Sequence, residues 1–335
     1  MHSRRLMSFI LACSACSSAT GAFASASLCR DLGELQRPSL GLVLGGGGAR
    51  GAAHIGVIRK LEELNIPVDY VAGTSMGSLI GALYATGMSA DELEQTISKL
   101  DWDDLFTDST RRADRTLRRK RDDDLSLFGP KLGIGRDSKL LPTGALSGQK
   151  ISFLFESLVQ GRVHVDDFDH LPIPFRAVAA DIATGDAVVL GTGDLALAMR
   201  ASMSVPGAFT PVPLRQHLLV DGGIANNLPI NVVREMGAKR LIAVEVGSPL
   251  TPRDELDSVL PVLTQMSTLL IRSNVEAQLA TLGGDDLLIE PAIGTKVTSA
   301  DFDKFERAIA IGYAAADQLE ADLGRYSVSN AEYQA

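Results

Sequence analysis

The sequence predicts an α/β protein, a three-layer α/β/α sandwich around a mostly parallel central sheet, and three observations carry that expectation. Short apolar runs alternate with longer amphipathic stretches across residues 40–323. Several of those runs end in glycine-rich turns, at residues 45–48, 73–77 and 222–223. Apolar residues make up 45% of the 335-residue chain, enough for a substantial core.

The first 26 residues stand apart from this pattern. Arg4 and Arg5 precede an apolar run over residues 6–16, then small residues with A-x-A sites ending at Ala24 and Ala26. This reads as a cleaved signal peptide, 1–26, which would make the mature protein periplasmic or secreted. A dozen apolar residues interrupted by serines are too few for a spanning helix. Ile10-Leu11-Ala12-Cys13 resembles a lipobox, so lipoprotein anchoring ranks second to plain cleavage. Cleavage after Ala26 removes Cys13 and Cys16 and leaves Cys29 alone, so no internal disulfide is expected. The formal charge of −9 becomes more negative once Arg4 and Arg5 leave, which argues against a nucleic-acid partner.

From Leu40 the chain reads LGLVLGGGGARGAAHIGVIRKLEELNIP, a strand, a glycine cradle and a helix with Val57, Ile58, Leu61 and Leu64 on one face. Gly46, Gly48 and Gly51 fit G-x-G-x-x-G, and Asp69 lies near the spacing at which a dinucleotide fold places its ribose-binding acid. That acid should close the second strand, whereas Asp69 precedes it, so a nucleotide-binding oxidoreductase is the weaker alternative. The second strand instead runs into VDYVAGTSMGSLIGALYATG, in which Gly73 and Gly77 flank Ser75. G-x-S-x-G at a strand-to-helix corner is the spacing of a nucleophile elbow, and the following helix aims free N–H groups at the corner.

A capping box, Ser89 with Glu92, opens the next helix, and an irregular region follows over residues 101–141. Within it RRADRTLRRKRDDD sets seven basic residues before three aspartates. The segment reads first as a solvated, internally paired charge run; its sharper reading is a lipid-surface patch centred on Arg118, Arg119, Lys120 and Arg121. A helix through KISFLFESLV, strands in PFRAVAADIA and DAVVL, and a helix in GDLALAMRAS come next. The hairpin-like VPLRQHLLVDGG ends at Asp221, Gly222 and Gly223, and RLIAVEVG and DDLLIEP supply two further strands among helices. Phe302, Phe305, Ile309, Gly312, Ala316, Leu319 and Leu323 form one apolar seam on a last helix, expected to pack on the sheet, with a homodimer seam as the alternative. No linker interrupts this run, so one catalytic domain, 40–325, and a C-terminal tail, 326–335, are expected.

A serine at an elbow needs a base, and His2, His54, His164, His170 and His217 are all poorly placed for one. A Ser-Asp-His order would need a histidine after a late strand, and none follows His217. Asp221, at a strand end and followed by two glycines, is the better partner, although an aspartate-glycine pair is also an ordinary turn. GGGGARG, GTSMG and DGG in that order, with RASMSVPGAF before the last, resemble the patatin-like phospholipase family. The resemblance implies a lipid acyl hydrolase of phospholipase A or lysophospholipase type with a Ser75–Asp221 dyad. It also implies an oxyanion hole from Gly46, Gly47 and Gly48, with Arg50 and Gly51 completing that motif. Its substrate would be a phospholipid or other acyl-ester lipid met in transient membrane contact. Neither a cofactor nor a metal is expected, because no His, Cys or carboxylate cluster has ligand spacing. A non-catalytic lipid-surface binder that keeps the fold is the remaining alternative.

Overall fold

The computed structural model describes residues 37–108, 116, 144–162 and 165–334. The expected signal peptide and the basic residues Arg118, Arg119, Lys120 and Arg121 lie outside the described residues. Ten strands form among the described residues: β1 Leu40–Leu44, β2 Tyr70–Thr74, β3 Gly144–Leu146, β4 Phe175–Asp181, β5 Ala187–Leu190, β6 Gly207–Phe209, β7 Val212–Leu214, β8 His217–Asp221, β9 Arg240–Val244 and β10 Leu287–Ile289. Eight of them make one sheet in the order β10-β9-β1-β2-β4-β8-β7, with β5 also on β4, and β3 pairs β6 separately. The neighbours from β10 to β4 are parallel, whereas β5, β7 and β8 join antiparallel.

Period-two alternation sorts the sheet's side chains into two cores, one for each face. Leu40, Leu42, Leu44, Val71, Phe175, Ala177, Ile242 and Val244 join the larger cluster. Their alternates Val43, Ala72, Val178, Leu241 and Ala243 join the smaller one. Helices α1 (Ala53–Glu63) and α2 (Met76–Ala85) fill the first face, followed by α3 (Ala90–Ser98), α4 (Trp102–Leu105), α5 (Gln149–Val159) and α6 (Leu195–Ser202). Every residue of α2 is buried, as its small and apolar composition on all sides requires. The second face is covered by α8 (Ile230–Glu235), which follows the single turn α7 (Gly223–Asn226), and by α9 (Val259–Leu279). Two covered faces complete the α/β/α sandwich expected from the sequence.

One expectation at the C-terminus needs correction. The apolar seam of residues 302–323 is not one helix but a 3-10 turn at Phe302–Lys304, α10 (Phe305–Gln318) and α11 (Glu320–Leu323), with the break at Leu319. It packs on α1 rather than directly on the sheet, because Gly56 and Gly312 bring the two backbones together. A Cβ on Gly56 would strike the Ile309 carbonyl, and one on Gly312 the Ala53 carbonyl. The stretch after residue 325 keeps contact with the domain. Tyr326 is buried, its hydroxyl donates to the Asp285 carbonyl at 2.8 Å, Val328 N donates to Asn65 O at 3.1 Å, and α12 (Asn330–Tyr333) has its own capping box.

One register sets the geometry of everything that follows. β4 uses a single edge for two strands: Phe175 to Val178 pair with Val71 to Thr74 of β2, and Ala179 to Asp181 pair with Asp221 to Leu219 of β8. The opposite edge of Ala177 to Ala180 carries β5. Parallel β2 therefore ends at Thr74 where antiparallel β8 ends at Asp221, and the two strands meet end to end along β4.

Candidate active site

That end-to-end junction places Ser75 beside Asp221. Ser75 Oγ donates to Asp221 Oδ2 at 2.6 Å, and both residues are buried, retaining 7% and 8% exposure. Ser75 has φ 54° and ψ −124°, a conformation that costs a non-glycine residue about 1–3 kcal/mol and persists only when its surroundings impose it. Gly73 and Gly77 make room for the corner: a Cβ on Gly73 would strike the Gly77 carbonyl, and one on Gly77 the Leu44 carbonyl. Gly222 does the same on the other side, where a Cβ would collide with the Val178 carbonyl of β4.

Burial pushes the Asp221 carboxyl up to about 6, while its bonds from Ser75 Oγ and from Gly223 N, the latter at 2.8 Å on Oδ1, pull it down. A carboxylate of that basicity can take a proton from a serine it already touches near neutral pH. No histidine hydrogen-bonds Ser75 or Asp221 among the described residues. His54 is fully buried on α1, its Nε2 bonds the Gly45 carbonyl at 2.7 Å, and desolvation lowers its pKa to about 4, so it is a neutral structural group. His217 Nδ1 pairs with Asp181 Oδ2 at 2.8 Å at the opposite end of β8 from Asp221. His170 closes a 3-10 turn, and His164 lies outside the described residues.

The glycine cradle leaves β1 beside the elbow. Gly46 donates its N–H to Asn227 O at 3.2 Å, so of the three glycine amides expected to bind an oxyanion, this one is occupied. The amides of Gly47 and Gly48 have no hydrogen-bond partner among the described residues, and both glycines are half-buried. Arg50 is a clip: its guanidinium donates to the carbonyls of Val246, Gly247, Gly294 and Val297 at 2.6–2.9 Å, tying the cradle to the loops after β9 and β10. Gly51 lies against Met76, where a Cβ would strike the side chain that opens α2. Asp69 sits at the opposite, N-terminal end of β2, held by Arg37 and by Leu40 N, far along the strand from the cradle. A ribose-binding role for it has no geometric basis.

Further residues complete the site. Ser202 Oγ accepts from Ser75 N at 2.9 Å and donates to Val178 O at 2.5 Å, bracing the strained corner against β4. Two residues later Ser204 O accepts from Asp221 N at 2.9 Å, so the last residue of α6 and the turn after it hold both members of the pair. Arg200 supports that loop through Ser204 Oγ and lies over the Phe209 ring. Asn227 reciprocates the Gly46 bond by donating Nδ2 to Gly46 O at 3.1 Å. Asn274 on α9 in turn accepts from Asn227 N at 2.9 Å and donates to Gly223 O at 2.8 Å. The RASMS part of the motif could have pointed to Ser202; Asn227 and Asn274 could not have been found without the packing.

The model of the Patatin-like phospholipase family matches residues 42–234, which hold the cradle, the elbow and the aspartate. Patatin-like phospholipase domain-containing protein 6 of Homo sapiens is 37% identical over 221 residues, 65% of this chain and 14% of that protein. An uncharacterised NTE family protein of Mycobacterium tuberculosis is 33% identical over 228 residues, 68% of this chain and 33% of that protein. The chain thus spans only a minor part of the length of these relatives. Among solved structures, VipD from Legionella pneumophila aligns with a TM-score of 0.46 at 16% identity, covering 86% of this chain and 67% of that one. Human GIVD cytosolic phospholipase A2 aligns with a TM-score of 0.43 at 12% identity, covering 87% of this chain and 61% of that one. Because the family model takes in more than half of the sequence and all three of its glycine-marked turns, the chain belongs to the patatin-like phospholipase family.

Proposed function

We propose that this protein is a serine lipid acyl hydrolase, of phospholipase A or lysophospholipase type, working through a Ser75–Asp221 dyad. The observation that carries the reading is the 2.6 Å bond from Ser75 Oγ to a buried carboxylate of raised pKa, at a serine held in strained backbone. Asp221 takes the hydroxyl proton as Ser75 Oγ attacks the ester carbonyl carbon. Charge then gathers on the former carbonyl oxygen, and the partnerless amides of Gly47 and Gly48 supply preorganised donors; one such donor contributes about 3–4 kcal/mol in a comparable site. Collapse of the tetrahedral intermediate expels the alcohol, protonated by Asp221, and leaves an acyl-serine. Asp221 next activates water, which releases the fatty acid and restores Ser75.

The family supports lipid ester chemistry, and the site offers a base for each proton transfer. The expected domain, 40–325, would carry this activity, and residues 1–26 would direct export of the chain. A fluorophosphonate probe tests the reading, together with fatty-acid release from a lipid panel. The wild type should label and hydrolyse; Ser75→Ala should do neither while keeping its fold. An unlabelled, inactive wild type that still binds lipid would favour the non-catalytic lipid binder.

A further inference from the structure

On α9 the amphipathic pattern is turned outward. Val262, Leu263, Met266, Leu269 and Leu270 follow three- and four-residue spacing on one stripe, and their exposure runs from 43% at Val262 to 57% at Met266. No residue between 261 and 270 is buried, although the second half of the same helix anchors on the sheet through Val275. Scattered exposed leucines need no explanation, but five large apolar side chains on one helical stripe form a contiguous patch that a soluble surface rarely shows.

Two further observations say what covers it. Residues 258–271 contain no charged side chain and Arg272 is the first to follow, in a chain whose formal charge is −9 and 22% of whose residues are charged. A partner recognised by charge would leave ions on this face; an uncharged apolar phase would not. The patch is also continuous with the reaction site. Ile271, next to Leu270, lies 3.5 Å from the position a Cβ would take on Gly223, and Asn274 holds Gly223 O and Asn227 N. One exposed apolar side chain adjoins the site from another element too. Val205, 45% exposed, follows Ser204, whose carbonyl holds Asp221 N.

We propose that the outward face of α9 is the surface by which this protein docks on a lipid bilayer, its five apolar side chains entering the boundary between head groups and acyl chains. An interfacial helix lies in the plane of the membrane with its apolar face about 5–10 Å deep, which suits a stripe on the outer side of a helix held to the domain from its other side. Docked this way, the enzyme presents the turn at Gly223, and with it Asp221 and Ser75, to the layer that holds ester bonds. The proposal rests on the lipid-hydrolase reading for its meaning but is tested without it.

The test uses full-length Ser75→Ala protein, so that the vesicles stay intact, with and without Leu263→Ser, Met266→Ser and Leu270→Ser together. Sedimentation with zwitterionic phosphatidylcholine vesicles should fall by at least about 30-fold in the triple variant, the loss expected from three half-exposed side chains that no longer enter lipid. In an otherwise wild-type chain, Met266→Trp should show a blue shift in emission on adding the same vesicles, against a background from the buried Trp102. With Ser75 restored, the triple variant should hydrolyse a short soluble ester at the wild-type rate and vesicle lipid far more slowly. Equal vesicle binding by the parent and the triple variant would overturn the proposal whatever the activity. A patch covered instead by a second copy would appear as a parent dimer that the three serines convert to a monomer without change in vesicle binding, and this too would overturn it. If the parent binds vesicles through this face but hydrolyses no lipid once Ser75 is restored, docking stands and the hydrolase reading falls.

Discussion

Replacing Asp221 with asparagine should abolish hydrolysis and at the same time stabilise the protein at neutral pH. The carboxyl of Asp221 is raised by burial to about 6, so between about 4 and about 6 the folded chain holds a proton that the unfolded chain has released. Folding stability due to this group therefore falls as pH rises through that window. Two pKa units at 1.36 kcal/mol each correspond to about 3 kcal/mol. His54 works in the opposite sense: buried and neutral with its pKa lowered to about 4, it makes stability rise with pH from about 4 to 6.5. Because the two slopes overlap and offset each other in the wild type, the informative quantity is the difference between wild type and Asp221→Asn. Asparagine keeps the shape, can accept from Gly223 N through Oδ1 and can donate to Ser75 Oγ, so no buried partner is orphaned. Urea melts at closely spaced pH values should show a difference near zero at pH 4 that grows to about 2–3 kcal/mol in favour of the variant above pH 7. Turnover should fall by about 10³-fold or more, and wild-type kcat/KM should rise about tenfold per pH unit below pH 6. A flat difference curve, or a variant that keeps a tenth of the activity, would refute the assignment of Asp221 as a buried general base.

Other consequences are simpler to read. Ser202→Ala removes the acceptor for Ser75 N and the donor to Val178 O, so stability should drop by about 1–3 kcal/mol and kcat should fall more than KM changes; an unaltered kcat would make Ser202 a packing residue only. His217→Gln and His170→Gln should each keep fluorophosphonate labelling at the wild-type rate, and loss of labelling in a folded variant would require a triad. Gly77→Ala forces a Cβ into the Leu44 carbonyl and should yield little folded protein, judged by circular dichroism and soluble yield. Hydrolysis should continue unchanged in excess EDTA, since serine, aspartate and backbone amides carry every step proposed. Neutralising Arg118, Arg119, Lys120 and Arg121 should weaken binding to anionic vesicles and flatten its salt dependence, each basic residue contributing about 1 kcal/mol near such a surface.

Features imposed on the backbone could be read in the sequence, and features created by packing could not. Gly73 and Gly77 are glycines because carbonyls occupy the space of their Cβ atoms, so the elbow is written as G-x-S-x-G. The capping box of Ser89 and Glu92 is equally local, and both its bonds form. The alternation of apolar strand runs with helical stretches foretold two covered faces, because a strand buried on both sides needs apolar residues at successive positions. By contrast, nothing in DGG or GTSMG says that β2 and β8 share one edge of β4; that follows from Val178 and Ala179 pairing with different strands.

The same distinction explains where the sequence misleads. An apolar stripe at helical spacing normally faces a core, and residues 302–323 obey that rule, although a break at Leu319 and the approach of Gly56 to Gly312 send the stripe to α1 instead of the sheet. The stripe of α9 has the same spacing and faces solvent, because its helix packs on the sheet core from Ile271 onward, while its first half is held on its other side by Gln265, whose Oε1 accepts from Thr251 N. Periodicity thus records that a surface is apolar and leaves open what it meets. A similar gap separates the three cradle glycines: they are chemically identical in sequence, yet Asn227 engages the amide of Gly46, whereas those of Gly47 and Gly48 have no partner among the described residues. Asn227 is fixed by Asn274, and Asn274 belongs to the helix whose other half carries the exposed stripe. Asn274 thus ties the helix that carries the outward stripe to Asn227 and, through it, to Gly46 beside Ser75, so the proposed docking face and the proposed catalytic corner are joined by one hydrogen-bonded path.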